Sequence, residues 1–350
     1  MKRIAIVSPS GNFYGSEQVL YDFLSCTHNN YHIYLPSGLL YNKLKELGKH
    51  SLHTYGSLKL LYVKLAIMLF VGKYDGIYIN EGGHVKYVNI LADLFPHKHF
   101  FVHIRLLEDT YSSRLGKEHK NVSYVSVSEY ITSEVMRNSG LHCSTLYDIY
   151  NPVSGFDGMK WIKLHDSTLR VGIIGRVTVT KGLHDISTFC DYCEKHPMQL
   201  DIEFHFYGGI DSHIPEVCAF VERTNTYKHI KCIFHGYVND KNQIYSSFDI
   251  LLHFNRIEAL GRIVMEALDF GVPFIGFQDG GIGELARNYG VGKYMVEHRD
   301  DWEERLQNKI INLVANNESI VADYGKAKVS MKELCSPTTY TQQLEALLYE

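Results

Sequence analysis

Short apolar runs and helical stretches alternate along the whole chain, and this alternation constrains the fold more than any other feature. The apolar runs are rich in Ile, Val, Tyr and Phe, which is typical of buried strands. Most of them are followed by a stretch with helical spacing of its apolar residues. Such alternation predicts parallel sheets covered by helices on both faces, which is the doubly wound α/β class.

A first set of these elements ends near Pro152. Strands are predicted at residues 3–7, 31–35, 76–79, 100–104 and 123–127, and helices at 39–48, 58–71, 85–94 and 128–139, with an earlier one starting near Ser16. The loop after the first strand contains Gly11 and Gly15, which do not form a G-x-G-x-x-G pattern. No acidic residue follows the second strand, so both features count against a dinucleotide-binding domain.

A second set starts afresh after a polar connection at residues 154–168. Its predicted strands lie at residues 169–174, 202–207, 229–234, 250–252 and 274–276. Ser336 and Pro337 then break the chain before a last helical segment, 338–349. A chain of 350 residues is long enough for two domains, each with its own core.

The composition and charge of the chain indicate which kinds of partner it could bind. Hydrophobic residues make up 45% and charged residues 21% of a chain whose formal charge is −4, which describes a globular protein and gives no support for nucleic-acid binding. Residues 1–150 carry 15 Lys and Arg against 12 Asp and Glu, whereas residues 151–350 carry 20 against 27. A slightly basic first half would suit an anionic membrane or acceptor.

The longest apolar run, Leu58 to Val71, is interrupted by Lys59 and Lys64. It is shorter than the ~20 residues that span a bilayer. A helix packed on the sheet is the favoured interpretation, and a helix lying on a membrane surface is the alternative. The apolar segment at the start of the chain is too short for a secretory signal, which predicts a cytoplasmic protein.

The metal-binding residue types form no metal-site pattern. The seven cysteines are scattered, as expected in a reducing cytosol. Cys190 and Cys193 form a lone C-x-x-C on a helical stretch, for which packing is the simpler explanation. The histidines form no H-E-x-x-H pattern. We therefore expect no metal and no cofactor.

The stretch from Phe254 to Ala286 holds two glutamates, Glu258 and Glu266, with Gly261 between them. Glu258 is predicted in the loop that leaves the carboxyl end of a strand, where open parallel sheets bind ligands. Glu266 is predicted within a helix among apolar residues, where a carboxylate needs a partner such as a sugar hydroxyl. Chance spacing of two solvated glutamates is the alternative.

Three other groups could contribute chemistry. Arg176 and Lys181 lie between a strand and a helix, where two cations would suit a diphosphate or would simply be exposed. The glycines around Ile282 offer backbone N–H groups before a helix predicted to start near Glu284, or form a simple turn. His103 ends an apolar strand and is as consistent with a core histidine as with a functional one.

In their order and spacing these motifs resemble the retaining GT-B-fold glycosyltransferases of family 4, also called group 1 glycosyl transferases. The matching segments are IIGRVTVTKG (173–182), FYGG (206–209), FHGYV (234–238) and IEALGRIVMEALDFGVPFIGFQDGGIGE (257–284), with weaker ones at YGSE (14–17), His103, VSEY (127–130) and IYNPV (149–153). The resemblance implies two Rossmann-like domains facing a central cleft. Residues 1–152 would form the acceptor domain, joined by a returning C-terminal helix at 338–350, and residues 153–337 the donor domain.

The same resemblance implies a role for each side chain at the site. Arg176 and Lys181 would hold the donor diphosphate, Glu266 the ribose, and Glu258 the hydroxyls of the donor sugar. His103 would approach the sugar from the first domain.

Backbone groups are also implied by the resemblance. Gly15 would let the first loop approach the donor, the amides of Leu260 and Gly261 would lie beside the phosphates, and those of Gly280, Gly281 and Ile282 beside the sugar.

The implied activity is transfer of a sugar from a nucleotide-diphosphate sugar, with retention of configuration and without a metal. A UDP-sugar is the first expectation and a GDP-sugar the second. The acceptor would be a glycan or a lipid-linked precursor in cell-surface polysaccharide synthesis, with peripheral membrane contact through the first domain. A nucleotide-sugar epimerase of the same fold and a non-catalytic sugar-nucleotide-binding subunit remain alternatives.

Overall fold

The computed structural model describes residues 2–164 and 167–349. His165 and Asp166 of the predicted connection, and Glu350 at the end of the predicted last segment, lie outside that part. The chain divides into two compact units, of which the first comprises Met1–Asn151 with Glu333–Glu350 and the second Pro152–Lys332.

The first unit is built on a seven-stranded sheet in which every strand pairs parallel to its neighbours. Its strands are β1 (Ile4–Val7), β2 (His32–Leu35), β3 (Ser51–Thr54), β4 (Gly76–Ile79), β5 (His99–Ile104), β6 (Val122–Ser126) and β7 (Cys143–Thr145). They are ordered β3-β2-β1-β4-β5-β6-β7. All residues of the central strands β1 and β4 are buried, as expected where helices cover both faces.

Six helices follow the strands of this unit. They are α1 (Gly15–Cys26), α2 (Leu39–Leu47), α3 (Leu58–Phe70), α4 (Val85–Leu94), α5 (Ser112–Leu115) and α6 (Glu129–Ser139). Local chemistry sets their ends, as α6 illustrates. The Ser128 hydroxyl accepts a hydrogen bond from the Ile131 amide (3.1 Å), and Gly140 ends the helix in the left-handed conformation (φ 72°).

The second unit contains a five-stranded parallel sheet. Its strands are β8 (Thr168–Ile174), β9 (Asp201–Tyr207), β10 (Ile230–Gly236), β11 (Ile250–His253) and β12 (Phe274–Gly276), ordered β10-β9-β8-β11-β12. The helices are α7 (Leu183–Lys195), α8 (Pro215–Thr224), α9 (Lys241–Ser246), α10 (Arg262–Asp269), α11 (Gly280–Asn288), α12 (Trp302–Ala315) and α13 (Asn317–Leu334). The strand order reverses between β8 and β11, which creates the position where open α/β sheets bind ligands.

The last helix, α14 (Pro337–Tyr349), belongs to the first unit and packs on α1. Tyr340, Leu344 and Leu348 are fully or almost fully buried in the same apolar cluster as Phe23. The Glu345 carboxylate accepts a hydrogen bond from the Asn29 side-chain amide (2.7 Å). These contacts join the two ends of the sequence within one core.

The predicted fold class is confirmed, since both units are doubly wound α/β structures. The sequence pattern missed β3 and β7, because both are short edge strands with little fully buried surface. The helix predicted over the run from Leu58 to Val71 is present, and Leu61, Leu65 and Leu69 pack it onto the unit. Among the described residues no helix is both long and apolar enough to cross a membrane.

Candidate active site

Two loops lie at the position where the strand order of the second sheet reverses. One leaves β8 and contains Arg176 and Lys181, and the other leaves β11 and contains Glu258. Because β8 and β11 are paired and parallel, their carboxyl ends lie at the same edge of the sheet. Arg176, Lys181 and His253 line one small pocket there, together with apolar side chains such as Ile186 and Phe206.

Lys181 and Glu258 form an ion pair in this pocket region. The ammonium Nζ lies 3.0 Å from Glu258 Oε2, and the Asn255 side-chain amide donates to the same oxygen at 2.8 Å. Burial opposes ionisation of Glu258, but the neighbouring His253 and Lys181 and the bond from Asn255 outweigh it and lower the pKa of this carboxyl. Glu258 is therefore a carboxylate at neutral pH.

Arg176 is exposed like Lys181, but it differs from Lys181 in having no partner in the part of the chain that the structure describes. Among the described residues its guanidinium makes neither a hydrogen bond nor an ion pair. A cation held at the edge of a sheet without a protein partner is available to an anionic ligand. The β8 loop thus offers one unpaired cation and one shared with a carboxylate.

His253 ends β11 directly beneath this loop and was not singled out from the sequence. Burial lowers the pKa of its imidazole to about 4, so the ring is neutral at pH 7. Its Nε2 is buried and has no hydrogen-bond partner among the described residues. The sequence offered one signal, a histidine at the end of an apolar strand and five residues before Glu258. A histidine packed in the core would give the same signal.

The glycine cluster begins helix α11 itself. The helix starts at Gly280, not near Glu284 as expected, because Asp279 already occupies the extended position before the first turn. The N–H of Gly281 donates to the carbonyl of Glu258 at 2.8 Å. The described residues provide no acceptor for the N–H groups of Gly280 and Ile282, as is usual in the first turn of a helix.

The close approach between α11 and the loop after β11 requires a glycine at position 281. A Cβ at Gly281 would lie 2.4 Å from the carbonyl oxygen of Ala259. Gly261, which precedes α10 in the left-handed region (φ 93°), packs against the Ile282 side chain, and Leu260 is buried beside it. The loop from Glu258 to Gly261 and the start of α11 are therefore one packed unit.

Glu266 has partners within the protein. Its two carboxylate oxygens accept hydrogen bonds from Lys241 Nζ (2.8 Å) and from the Tyr245 hydroxyl (3.2 Å). The expectation that a carboxylate at this position needs a partner is met by two residues that the sequence pattern did not indicate. The structure thus gives Glu258 and Glu266 separate partners, and it brings Glu258 together with Lys181 and the α11 glycines.

The two remaining predicted residues lie in the first unit. Gly15 is the exposed first residue of α1. His103 is fully buried in β5, where Nδ1 lies 2.8 Å from the Tyr78 hydroxyl. Burial and the charge of Arg105 hold the pKa of His103 well below its usual value.

The first sheet has a corresponding reversal between β1 and β4. The carboxyl group of Glu81, which follows β4, accepts a hydrogen bond from the Ser16 hydroxyl beside Gly15, and burial raises the pKa of this carboxyl. The sequence pattern did not indicate Glu81.

Metal-binding side chains are dispersed. In residues 2–164 and 167–349, no group of three or more His, Cys, Asp or Glu side chains could hold a metal ion. Cys190 and Cys193 are both buried on α7, and burial raises the pKa of each thiol. Their environment is that of packed core residues.

Solved structures share this fold over nearly the whole chain. HepE of Anabaena in complex with UDP has a TM-score of 0.74 at 17% sequence identity, with 99% of each chain covered. A glycosyltransferase of Rickettsia africae gives 0.73 at 16%, covering 99% of this chain and 97% of that one. The lipopolysaccharide outer core galactosyltransferase WaaB, in its apo form, gives 0.70 at 14%, with 99% of each covered. No curated protein sequence matches the chain.

The chain therefore has the GT-B fold, with two Rossmann-like units and a helical C-terminus. Residues 168–316 match the family model for glycosyl transferases group 1. The matched range contains the β8 loop, Glu258, Glu266 and the start of α11. The second unit thus carries a group 1 glycosyl transferase domain, which confirms the resemblance to group 1 glycosyl transferases, whereas retention of configuration and membership of family 4 stay predictions.

Proposed function

We propose that this glycosyltransferase uses a nucleotide-diphosphate sugar, most readily a UDP-sugar, and transfers the sugar with retention of configuration. The observation that carries the proposal is the set of Arg176, Lys181 and Glu258 where the strand order of a group 1 domain reverses. Further support comes from HepE, whose structures contain UDP, UDP and glucose, or UDP-glucose. A GDP-sugar is the second candidate donor.

The two cations would act on the leaving group. Breaking the bond between sugar and phosphate places negative charge on the diphosphate, and fixed cations nearby stabilise that charge without reorganising. Arg176 is unpaired and would contact the diphosphate directly. Lys181 would contact both Glu258 and the phosphates. With both cations in place, the proposed transfer needs no metal.

The carboxylates would position the donor. Glu258 is ionised, and its unused lone pairs would accept hydrogen bonds from the sugar hydroxyls. Glu266 would accept from the ribose, either beside or in place of the Tyr245 hydroxyl. The N–H groups of Gly280 and Ile282 would add donors at the positive end of α11. The roles of His103 and Gly15 toward the donor are proposed on the same footing.

We further propose that the acceptor is a glycan or lipid-linked precursor of a cell-surface polysaccharide, used at the inner face of the cytoplasmic membrane. The basic balance of the first 150 residues supports a membrane or anionic acceptor.

Donor binding is tested by thermal unfolding with UDP, GDP and ADP side by side. A ligand at 100 times its Kd stabilises the folded state by about 2.7 kcal/mol, so the preferred base gives the largest rise in Tm. Lys228→Ala, at an exposed lysine away from the pocket, is the control variant. No rise with any of the three would contradict a nucleotide-sugar site.

Activity is tested by incubation with a panel of nucleotide sugars, with and without EDTA. Release of the nucleoside diphosphate that EDTA does not suppress is the expected result. Conversion of the donor into an isomer without net release would identify an epimerase. Stabilisation by a diphosphate without any turnover would identify a binding subunit.

A further inference from the structure

Helix α3 of the first unit is apolar on both of its sides. Leu61, Tyr62, Leu65 and Leu69 face the core and are at most 5% exposed. The opposite side carries a stripe of exposed apolar side chains, namely Leu60 (71% exposed), Val63 (57%), Ile67 (54%), Phe70 (82%) and the adjoining Val71 (64%). We call these five residues the α3 face.

The α3 face is one continuous surface. Its residues recur every three or four positions, so they lie on the same side of the helix. Single exposed apolar residues are ordinary, but five together mark an interaction surface. Helix α4 packs beside α3 through the stacked rings of Tyr62 and Tyr87, whose centroids are 4.6 Å apart, and it exposes Ile90 and Leu94 as well.

The charged residues of the segment that forms this face have one sign, and the exposed Asp93 of the neighbouring helix α4 is paired with Lys117. Residues 47–74 contain no Asp or Glu but four lysines, and Lys59, Lys64 and Lys73 are exposed. The next acidic residue, Asp75, is paired with Arg3 and Lys98. An apolar stripe flanked by lysines matches a bilayer surface with anionic headgroups, where apolar side chains enter the acyl boundary and lysines meet phosphate groups.

Two other occupants fit less well. A helix of 13 residues spans about 20 Å, which is short of the roughly 30 Å hydrocarbon core, so α3 would lie on the bilayer and not cross it. A second copy would place the same lysine-flanked surface against itself, because a two-fold interface uses the same patch on both subunits. Like charges would then face each other without acidic partners.

We propose that the α3 face docks the protein on an anionic lipid surface. This inference deepens the membrane contact of the proposed function and rests on it, while it names the residues that make the contact. Phe70, the most exposed residue of the face, and Ile67, one turn before it, supply part of the inserted apolar surface. Lys59 and Lys64 make binding depend on anionic lipid. An acceptor held in the same bilayer would be brought to the protein by this contact.

The test is flotation of the full-length protein with vesicles of phosphatidylcholine, with or without phosphatidylglycerol. We expect the wild type to bind the vesicles that contain phosphatidylglycerol. The double variant Ile67→Gln/Phe70→Gln should bind them at least about tenfold more weakly, because two inserted apolar side chains are lost. Lys59→Gln/Lys64→Gln should weaken binding by about fivefold per lysine, and only on anionic vesicles. Ile311→Gln/Val329→Gln, at exposed apolar positions of the second unit, is the matched control and should bind like the wild type.

Equal vesicle binding by wild type and the Ile67→Gln/Phe70→Gln variant would overturn the proposal, as would no binding by the wild type. A dimer in solution that this variant abolishes, without vesicle binding, would assign the face to self-association instead. Stabilisation by UDP, measured on the same samples, separates this inference from the donor site. The α3 variants should still be stabilised by UDP. If UDP does not stabilise the wild type either, the donor proposal is contradicted, whereas the proposal for the α3 face is still decided by vesicle binding.

Discussion

At the scale of single residues, the candidate site consists of an ion pair between two loops, Lys181 with Glu258, and of the cation Arg176, which is unpaired among the described residues. Arg176, Lys181 and Glu258 could be singled out from the sequence because loops at the carboxyl ends of strands gather at one edge of a sheet. The pairing of Lys181 with Glu258, 77 residues apart, depends on side-chain geometry that no local pattern carries. Lys241 and Tyr245 were missed for the same reason, since their helix contacts Glu266 only through the tertiary fold.

Arg176→Ala and Lys181→Ala should both weaken UDP binding, but they should differ in their effect on the stability of the protein without ligand. A hydrogen bond to a charged group contributes about 1.5–3 kcal/mol, so each variant should lose roughly 10- to 100-fold in affinity. Lys181→Ala should also lower Tm without ligand, because it removes the cation beside the Glu258 carboxylate. Arg176→Ala should not, because it removes no ion pair with a described residue. Titration calorimetry and thermal unfolding measure the two effects, with Lys228→Ala as control. Unchanged UDP affinity in both variants would remove these cations from the donor site.

His253 should make the second unit sensitive to acid. Burial lowers its pKa to about 4 in the folded protein, while the unfolded chain has the ordinary value near 6.5. Between these values the unfolded state binds the proton and the folded state does not. Stability should therefore fall by about 2–3 kcal/mol as the pH drops from 6.5 to 4, and His253 should contribute no change above pH 7.

A Tm profile from pH 7.5 to pH 4.5 tests this sensitivity. His253→Gln removes the titrating group and should flatten the profile, and His184→Gln, at an exposed histidine on α7, should not. Two profiles of equal slope for wild type and His253→Gln would contradict the prediction.

At the scale of elements, long buried strands and strongly periodic helices were predictable, and short edges were not. The helix predicted to contain Glu266 is present as α10, because its apolar residues and flanking glycines all indicate the same element. The start of α11 was misplaced by four residues. A run of glycines resembles a turn locally, and only the close approach of the 258–261 loop explains why glycines are needed inside the first helical turn.

Gly281→Ala tests this approach. The added Cβ would meet the backbone of Ala259 at 2.4 Å, which cannot be relieved by rotating a side chain. We expect a loss of about 1–3 kcal/mol in the free energy of unfolding, together with weaker UDP binding, because the loop that holds Glu258 must move. Gly325→Ala is the control, since a Cβ there meets nothing within 4 Å and alanine favours a helix interior. Chemical unfolding that finds Gly281→Ala no less stable than Gly325→Ala would contradict the required contact.

At the scale of the whole molecule, the repeated strand–helix alternation predicted two α/β units, and the family resemblance implied a returning C-terminal helix. The helix lies in the first unit because its apolar face completes the cluster around α1. Its sequence shows only a low amphipathicity, so the destination of the helix could not be derived from periodicity alone. The docking on anionic lipid proposed for α3 belongs to the same unit, and it depends on which face of α3 is already buried.

Leu344→Ala should destabilise the first unit selectively. The side chain is 1% exposed within the cluster that α14 shares with α1, and such a truncation costs about 2–5 kcal/mol. Both tryptophans, Trp161 and Trp302, lie in the second unit, so their fluorescence reports on that unit, whereas circular dichroism reports on the helices of both. We expect a lower unfolding midpoint by circular dichroism and a smaller shift by tryptophan fluorescence. Leu347→Ala, at a partly buried position one turn away, should shift both signals less. A shift confined to tryptophan fluorescence would contradict the assignment of α14 to the core of the first unit.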